Sequence, residues 1–129
     1  MQGGTDPNPS CGLSVLVVED EFLIAMDIES MLTANGHEVV GVATSVPLAL
    51  RLLEEVSPNV AVIDVNLRGQ CVRPVAERLQ ERSVPFVLSS AHTFRDNDGS
   101  DVLADAANIG KPVSEKALLE ALHRAVAVS

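Results

Sequence analysis

Positive charge is scarce in this chain. Nine Lys and Arg stand against 18 Asp and Glu, giving a net charge of −9 and a pI of about 4.6. The cations are scattered, whereas phosphate contacts need them clustered, so direct binding to nucleic acid is disfavoured. Cysteine is scarce as well. Cys11 and Cys71 form no CxxC pair, and with His37, His92 and His123 they are too dispersed for a zinc site, so both thiols are expected to be reduced. No apolar run exceeds the length of a strand, which argues against a membrane span. The amino terminus has no basic segment followed by an apolar one, so no signal peptide is read and the cytoplasm is the expected compartment. Neither GxGxxG nor GxxxxGK[ST] occurs, so the usual phosphate cradles of nucleotide-binding folds are missing. Aromatic residues are limited to Phe22, Phe86 and Phe94.

What is present is apolar and regularly arranged. Hydrophobic residues make up 47% of the 129 positions, enough for one domain with a sizeable core. Residues 1–12 are rich in Gly, Pro, Asn and Gln and read as a flexible tail; residues 13–129 form the domain. Within it, strands are expected over Ser14–Val18, Glu38–Ala43, Val60–Asp64, Pro85–Ser89 and Asn108–Gly110. Helices are expected between them. The first, Glu21–Ala34, has Ile24, Ile28, Met31 and Leu32 on one face, and Gly36 is suited to cap it. The second, Val46–Glu55, turns Ala49, Leu52, Leu53 and Val56 inward, and Ser57-Pro58 breaks it. The third, Val72–Arg82, packs through Val75, Ala76 and Leu79. The stretch Thr93–Ala107 is polar and turn-like, so its helix is expected to be short and mobile. Ser114 is placed to cap a last helix, which buries Leu118, Leu119, Leu122 and Val126. Short crossovers of this kind make parallel neighbours in an α/β sheet.

Four apolar runs end in polar chemistry. Val15–Val18 leads to Glu19-Asp20, Val60–Ile63 to Asp64, Phe86–Leu88 to Ser89-Ser90, and Asn108–Gly110 to Lys111-Pro112. In an open parallel sheet the carboxyl ends share one edge, where ligands bind. Singly, each of these residues reads as an ordinary solvated strand end. Jointly they suggest three carboxylates, a hydroxyl and an ammonium in one site. Crowded carboxylates repel one another, and a hard divalent cation with oxygen ligands resolves the conflict.

In this order and spacing, VLVVEDE, AVIDVNLRG, PFVLSSAH and GKP resemble the receiver domain of bacterial response regulators. The resemblance runs from about Leu13 to the carboxyl terminus. It implies a flavodoxin-like (βα)5 three-layer sandwich with strand order 2-1-3-4-5. It also implies Mg²⁺ held by Asp20, Asp64 and the backbone carbonyl of Asn66, with Glu19 acting through water. Asp64 is then the phosphoacceptor, Ser90 the switch hydroxyl and Lys111 the ammonium that pairs with a phosphoryl oxygen. Most relatives carry Tyr or Phe on the fifth strand shortly before the lysine, where this chain has Asn108 and Ile109. PFVLSSAH is similar to the PFxFATGY motif of the subgroup nicknamed FAT GUY, with Ser89, Ser90, Ala91 and His92 in place of Ala, Thr, Gly and Tyr. Without the usual ring, segment Thr93–Ala107 is the expected responsive element. His92 is expected to be an exposed loop residue.

The resemblance implies a stand-alone phosphoacceptor rather than an enzyme. It would be charged by a sensor histidine kinase, of the HWE class by subgroup, and would signal by protein contact as a shuttle, sink or target-binding regulator. The first helix and the loop near Lys111 are the expected docking edge. No membrane or nucleic-acid partner is expected, and the chain is expected to be a monomer or weak dimer. Two other classes remain open. One is a receiver-like interaction module that works without phosphorylation. The other is a small aspartyl phosphatase, weakened because Asn66, and not a second acid, follows two residues after Asp64.

Overall fold

The computed structural model describes residues 12–65, 67, 71–90, 108–110 and 114–128. Five strands are present: β1 (Ser14–Val18), β2 (Glu38–Ala43), β3 (Val60–Asp64), β4 (Phe86–Ser90) and β5 (Asn108–Gly110). Four helices are described: α1 (Phe22–Ala34), α2 (Val46–Glu55), α3 (Arg73–Glu81) and α4 (Glu115–Val128). The strands form one parallel sheet in the order β2-β1-β3-β4-β5. This is the doubly wound α/β arrangement expected from the sequence. The segment Thr93–Ala107, with its expected helix, lies outside the described residues, as do residues 1–11.

The period-2 geometry of the strands divides the core in two. Leu16, Val18, Ala61, Ile63, Phe86 and Leu88 face α2 and α3, where Ala49, Leu53, Val75, Ala76 and Leu79 complete one cluster. Val15, Val17, Val60, Val62 and Val87 face α1 and α4, against Ile28, Leu32, Leu118, Ala121 and Leu122. β1 from Val15 to Val18 and β3 from Val60 to Ile63 are continuously apolar because both of their faces are covered, the pattern of a buried parallel sheet. Each fully buried Val or Leu contributes about 1.5–3 kcal/mol relative to exposure, so these two layers dominate the stability.

Local signals fix where the helices start and stop. Ser45 Oγ accepts the Leu48 N–H at 3.3 Å and caps α2. Ser114 Oγ accepts the Ala117 N–H at 3.1 Å and does the same for α4. α1 ends in a Schellman motif, with Gly36 N donating to Thr33 O and His37 N to Leu32 O. Gly36 has φ +86°, the left-handed conformation that a side chain disfavours. The expected boundaries shift by one residue in places. Glu21 stands at the N-cap of α1 rather than beginning it, with an extended backbone (φ −92°, ψ 114°), and its N–H donates to Glu19 Oε2 at 3.1 Å. Pro85 stands just before β4, accepting from Ala61 N at 3.1 Å without a proton to donate, and β4 extends to Ser90, which pairs with Gly110. In α1 the fully buried positions are Ala25, Ile28 and Leu32, with Ile24 and Met31 partly covered.

Candidate metal and phosphoacceptor site

β1 and β3 are neighbours, with Val18 registered on Ile63. The residues after β1 and at the end of β3 therefore meet at the carboxyl edge. Glu19, Asp20 and Asp64 each offer a carboxylate oxygen, and these oxygens all lie within 4.8 Å of one another. Glu19 (1% exposed) and Asp64 (2%) are buried, whereas Asp20 is half-buried and opens the cluster to solvent. The backbone holds the group in place. Glu19 N donates to Ala43 O at 2.9 Å on the β2 side, and Val65 N donates to Ser89 O at 3.0 Å on the β4 side.

Two like charges this close repel by roughly 3 kcal/mol at an effective dielectric constant of about 20. The amino end of α1 begins two residues after Asp20, and a helix terminus offsets only about 0.3–1 kcal/mol, or up to ~2 in buried geometry. A bound cation would add opposite charge at the point of crowding. All three donors are hard oxygens, and the open side at Asp20 leaves room for retained waters, so the donor set fits a small divalent cation such as Mg²⁺.

The other expected site residues are placed less completely. Ser90 closes β4 as the register partner of Gly110, and Lys111 follows Gly110 in the chain. Asn66, His92 and Lys111 lie outside the described residues. Cys71 is an exposed free thiol. Two features were not read from the sequence. One is the bond from Glu21 N–H to Glu19, which ties the carboxylate cluster to the start of α1. The other is Ser89, which is buried (1% exposed), is the register partner of Asp64, and has an Oγ without a hydrogen-bond partner among the described residues. Neither leaves a mark on hydrophobic pattern or motif.

A parallel 2-1-3-4-5 sheet with acids clustered at the carboxyl ends of its first and third strands defines a doubly wound α/β domain with an acidic site at its carboxyl edge. The chain belongs to the response regulator receiver domain family, whose sequence profile matches residues 15–123. It is 34% identical over 124 residues to the transcriptional regulatory protein PdtaR of Mycobacterium tuberculosis, covering 95% of this chain and 60% of that protein. It is 29% identical over 97 residues to the phyllosphere-induced regulator PhyR of Methylorubrum extorquens, covering 73% of this chain and 36% of that protein. The chain thus spans less than two thirds of either relative. Among solved structures, the signal receiver domain of a modulated diguanylate cyclase from Desulfovibrio desulfuricans superposes with a TM-score of 0.81. Its identity is 23%, over 91% of this chain and 95% of that one. The response regulator PhyR from Brucella abortus superposes with a TM-score of 0.76 at 27% identity, over 92% of this chain and 50% of that one. Among the described residues, no helix is long and apolar enough to cross a membrane.

Proposed function

We propose that this chain accepts a phosphoryl group on Asp64 from a sensor histidine kinase and passes the signal on by protein contact. The observation that carries the reading is the meeting of Asp64 with Glu19 and Asp20 at the carboxyl edge of a receiver-family sheet. In the reaction an Asp64 carboxylate oxygen attacks phosphorus, the P–N bond of phosphohistidine breaks, and its electron pair returns to the imidazole. Glu19, Asp20, Asp64 and the Asn66 carbonyl are the proposed Mg²⁺ ligands, Glu19 through water. When bound, the ion neutralises charge on the phosphoryl oxygens. Lys111 and Ser90 are assigned the remaining oxygens. The register of Ser90 with Gly110, the residue before Lys111, supports that assignment.

Phe22 (71% exposed), Leu23 (74%) and Met26 lie on α1, next to the acidic cluster. An exposed apolar group on the helix that begins at the site suits a kinase docking surface. By its PFVLSSAH motif the chain is assigned to the FAT GUY subgroup, and its donor kinase to the HWE class. Residues 13–129 are assigned to the receiver, and the protein is assigned to the cytoplasm as a monomer or weak dimer.

Incubation with Mg²⁺ and phosphoramidate tests the reading. We expect one phosphoryl group on the wild type by intact mass and none on Asp64→Asn. An unmodified wild type supports an interaction module, and continuous turnover of a small phosphoester supports a phosphatase; either result overturns the proposal.

A further inference from the structure

The start of α1 has little of its own to hold it. Glu21 at the N-cap makes no side-chain capping hydrogen bond, and the first turn carries no acid to complement the helix dipole. Support comes from two residues upstream. Glu19 Oε2 accepts the Glu21 N–H at 3.1 Å, and the Glu19 backbone is itself fixed to β2 by the bond from its N–H to Ala43 O at 2.9 Å. The same buried side chain belongs to the acidic cluster, where oxygens of Glu19, Asp20 and Asp64 lie within 4.8 Å of one another. One carboxylate therefore serves both the cluster and the helix. Directly beyond it, Phe22 and Leu23 present apolar side chains to solvent.

We propose that Glu19 is a positioning residue through which a divalent cation in the cluster orders the start of α1 and so regulates the Phe22–Leu23 surface; this rests on the cation site assigned above. Two influences act on the Glu19 carboxylate. Like charge on Asp20 and Asp64 pushes it off its place, and the Glu21 N–H draws it back. Opposite charge at the cluster cancels the first and leaves the second. The Glu21 N–H then keeps its acceptor, and the turn that follows frays less. The coupling is reciprocal, so a partner that binds the ordered Phe22–Leu23 edge tightens the cation by the same factor. Docking and readiness for phosphoryl transfer are thereby joined in one side chain.

Exchange of backbone amide protons with water tests this, read residue by residue by NMR with and without saturating Mg²⁺ at matched ionic strength. Calorimetry measures Mg²⁺ binding in parallel. In the wild type, Mg²⁺ should slow exchange at Glu21, Phe22 and Leu23 about fivefold, the low end of typical coupling between sites. Leu48, whose N–H is capped by Ser45 at the start of α2, should change by less than about twofold, since that helix start is remote from the cluster. Glu19→Gln keeps an oxygen that can accept the Glu21 N–H but loses the charge. Its Glu21 amide should exchange slowly without Mg²⁺ and respond to the ion by less than about twofold. Equal slowing at Leu48 and Glu21 in the wild type overturns the inference, because the ion would then only stabilise the whole fold. So does a folded Glu19→Gln protein that responds as strongly as the wild type, because another group would carry the link. Wild type that binds Mg²⁺ without slowing at Glu21 overturns the inference and leaves the cation site standing. Wild type that binds no Mg²⁺ overturns the cation site and this inference together.

Discussion

Asp20 is the member of the acidic cluster that faces solvent, while Glu19 and Asp64 are sealed behind it. It is therefore the residue at which binding of a cation can be separated from folding. Removing its charge relieves repulsion of roughly 3 kcal/mol against each neighbour at an effective dielectric of about 20. Asp20→Asn should be at least as stable as the wild type without metal. Saturating Mg²⁺ should raise the wild-type melting temperature, since a ligand at about 100 times its Kd adds ~2.7 kcal/mol by linkage. Asp20→Asn should show little or no such shift. Calorimetry with and without Mg²⁺ reads both effects, and a metal shift preserved in Asp20→Asn would move the cation elsewhere. The carboxylates were legible because they close continuous apolar runs, and the family resemblance supplied the strand order that unites them. Ser89 was not legible as anything but a strand end, because an unmet hydrogen bond appears only when the neighbours are in place.

At the scale of elements, His37 joins α1 to the sheet. Its backbone N–H closes the α1 Schellman turn, and its Nδ1 accepts the Leu13 N–H at 3.3 Å at the start of β1. A proton on Nδ1 would remove that acceptor. Burial, and then the His123 ring at 6.2 Å, hold the His37 imidazole below its usual pKa of 6.5. A depressed histidine pKa means the folded chain binds fewer protons than the unfolded one. The stabilisation is therefore complete above pH about 6.5 and is lost as pH falls from there through the folded-state value. Melting curves between about pH 8 and pH 5.5 should show the wild type losing stability faster on acidification than His37→Gln. Parallel curves would contradict the argument. The element faces themselves were largely readable: α3 buries Val75, Ala76 and Leu79 as its spacing predicts. The start of α1 was not, because Glu21 has an extended backbone at the N-cap, which helical periodicity does not record.

At the scale of the whole molecule, two apolar layers make the sheet rigid, and the chemistry is confined to one edge of it. The described ion pairs Arg51–Glu55, Arg73–Glu77 and Arg78–Glu81 are exposed pairs within single helices, so they contribute little to holding these layers together. Phe22 and Leu23 take no part in either layer, so replacing both with alanine should change stability by no more than about 0.5 kcal/mol each. Phosphotransfer from the kinase should nevertheless fall, because docking loses its apolar anchors, while labelling by phosphoramidate should continue at the wild-type rate. A parallel fall in both would place the defect in the site and not in docking. The overall architecture was legible from the alternation of five apolar runs with amphipathic segments. The order of the strands came only through the family resemblance, since no composition or period specifies which parallel strands are neighbours.

Asp64, crowded by Glu19 and Asp20, is the proposed acceptor of the phosphoryl group. Borohydride reduction of the labelled protein converts an acyl phosphate to the corresponding alcohol, and peptide mapping then finds the altered residue. Homoserine is expected at position 64 and nowhere else. Reduction at Glu19 or Asp20, or a label carried on His92 with Asp64 untouched, would contradict it.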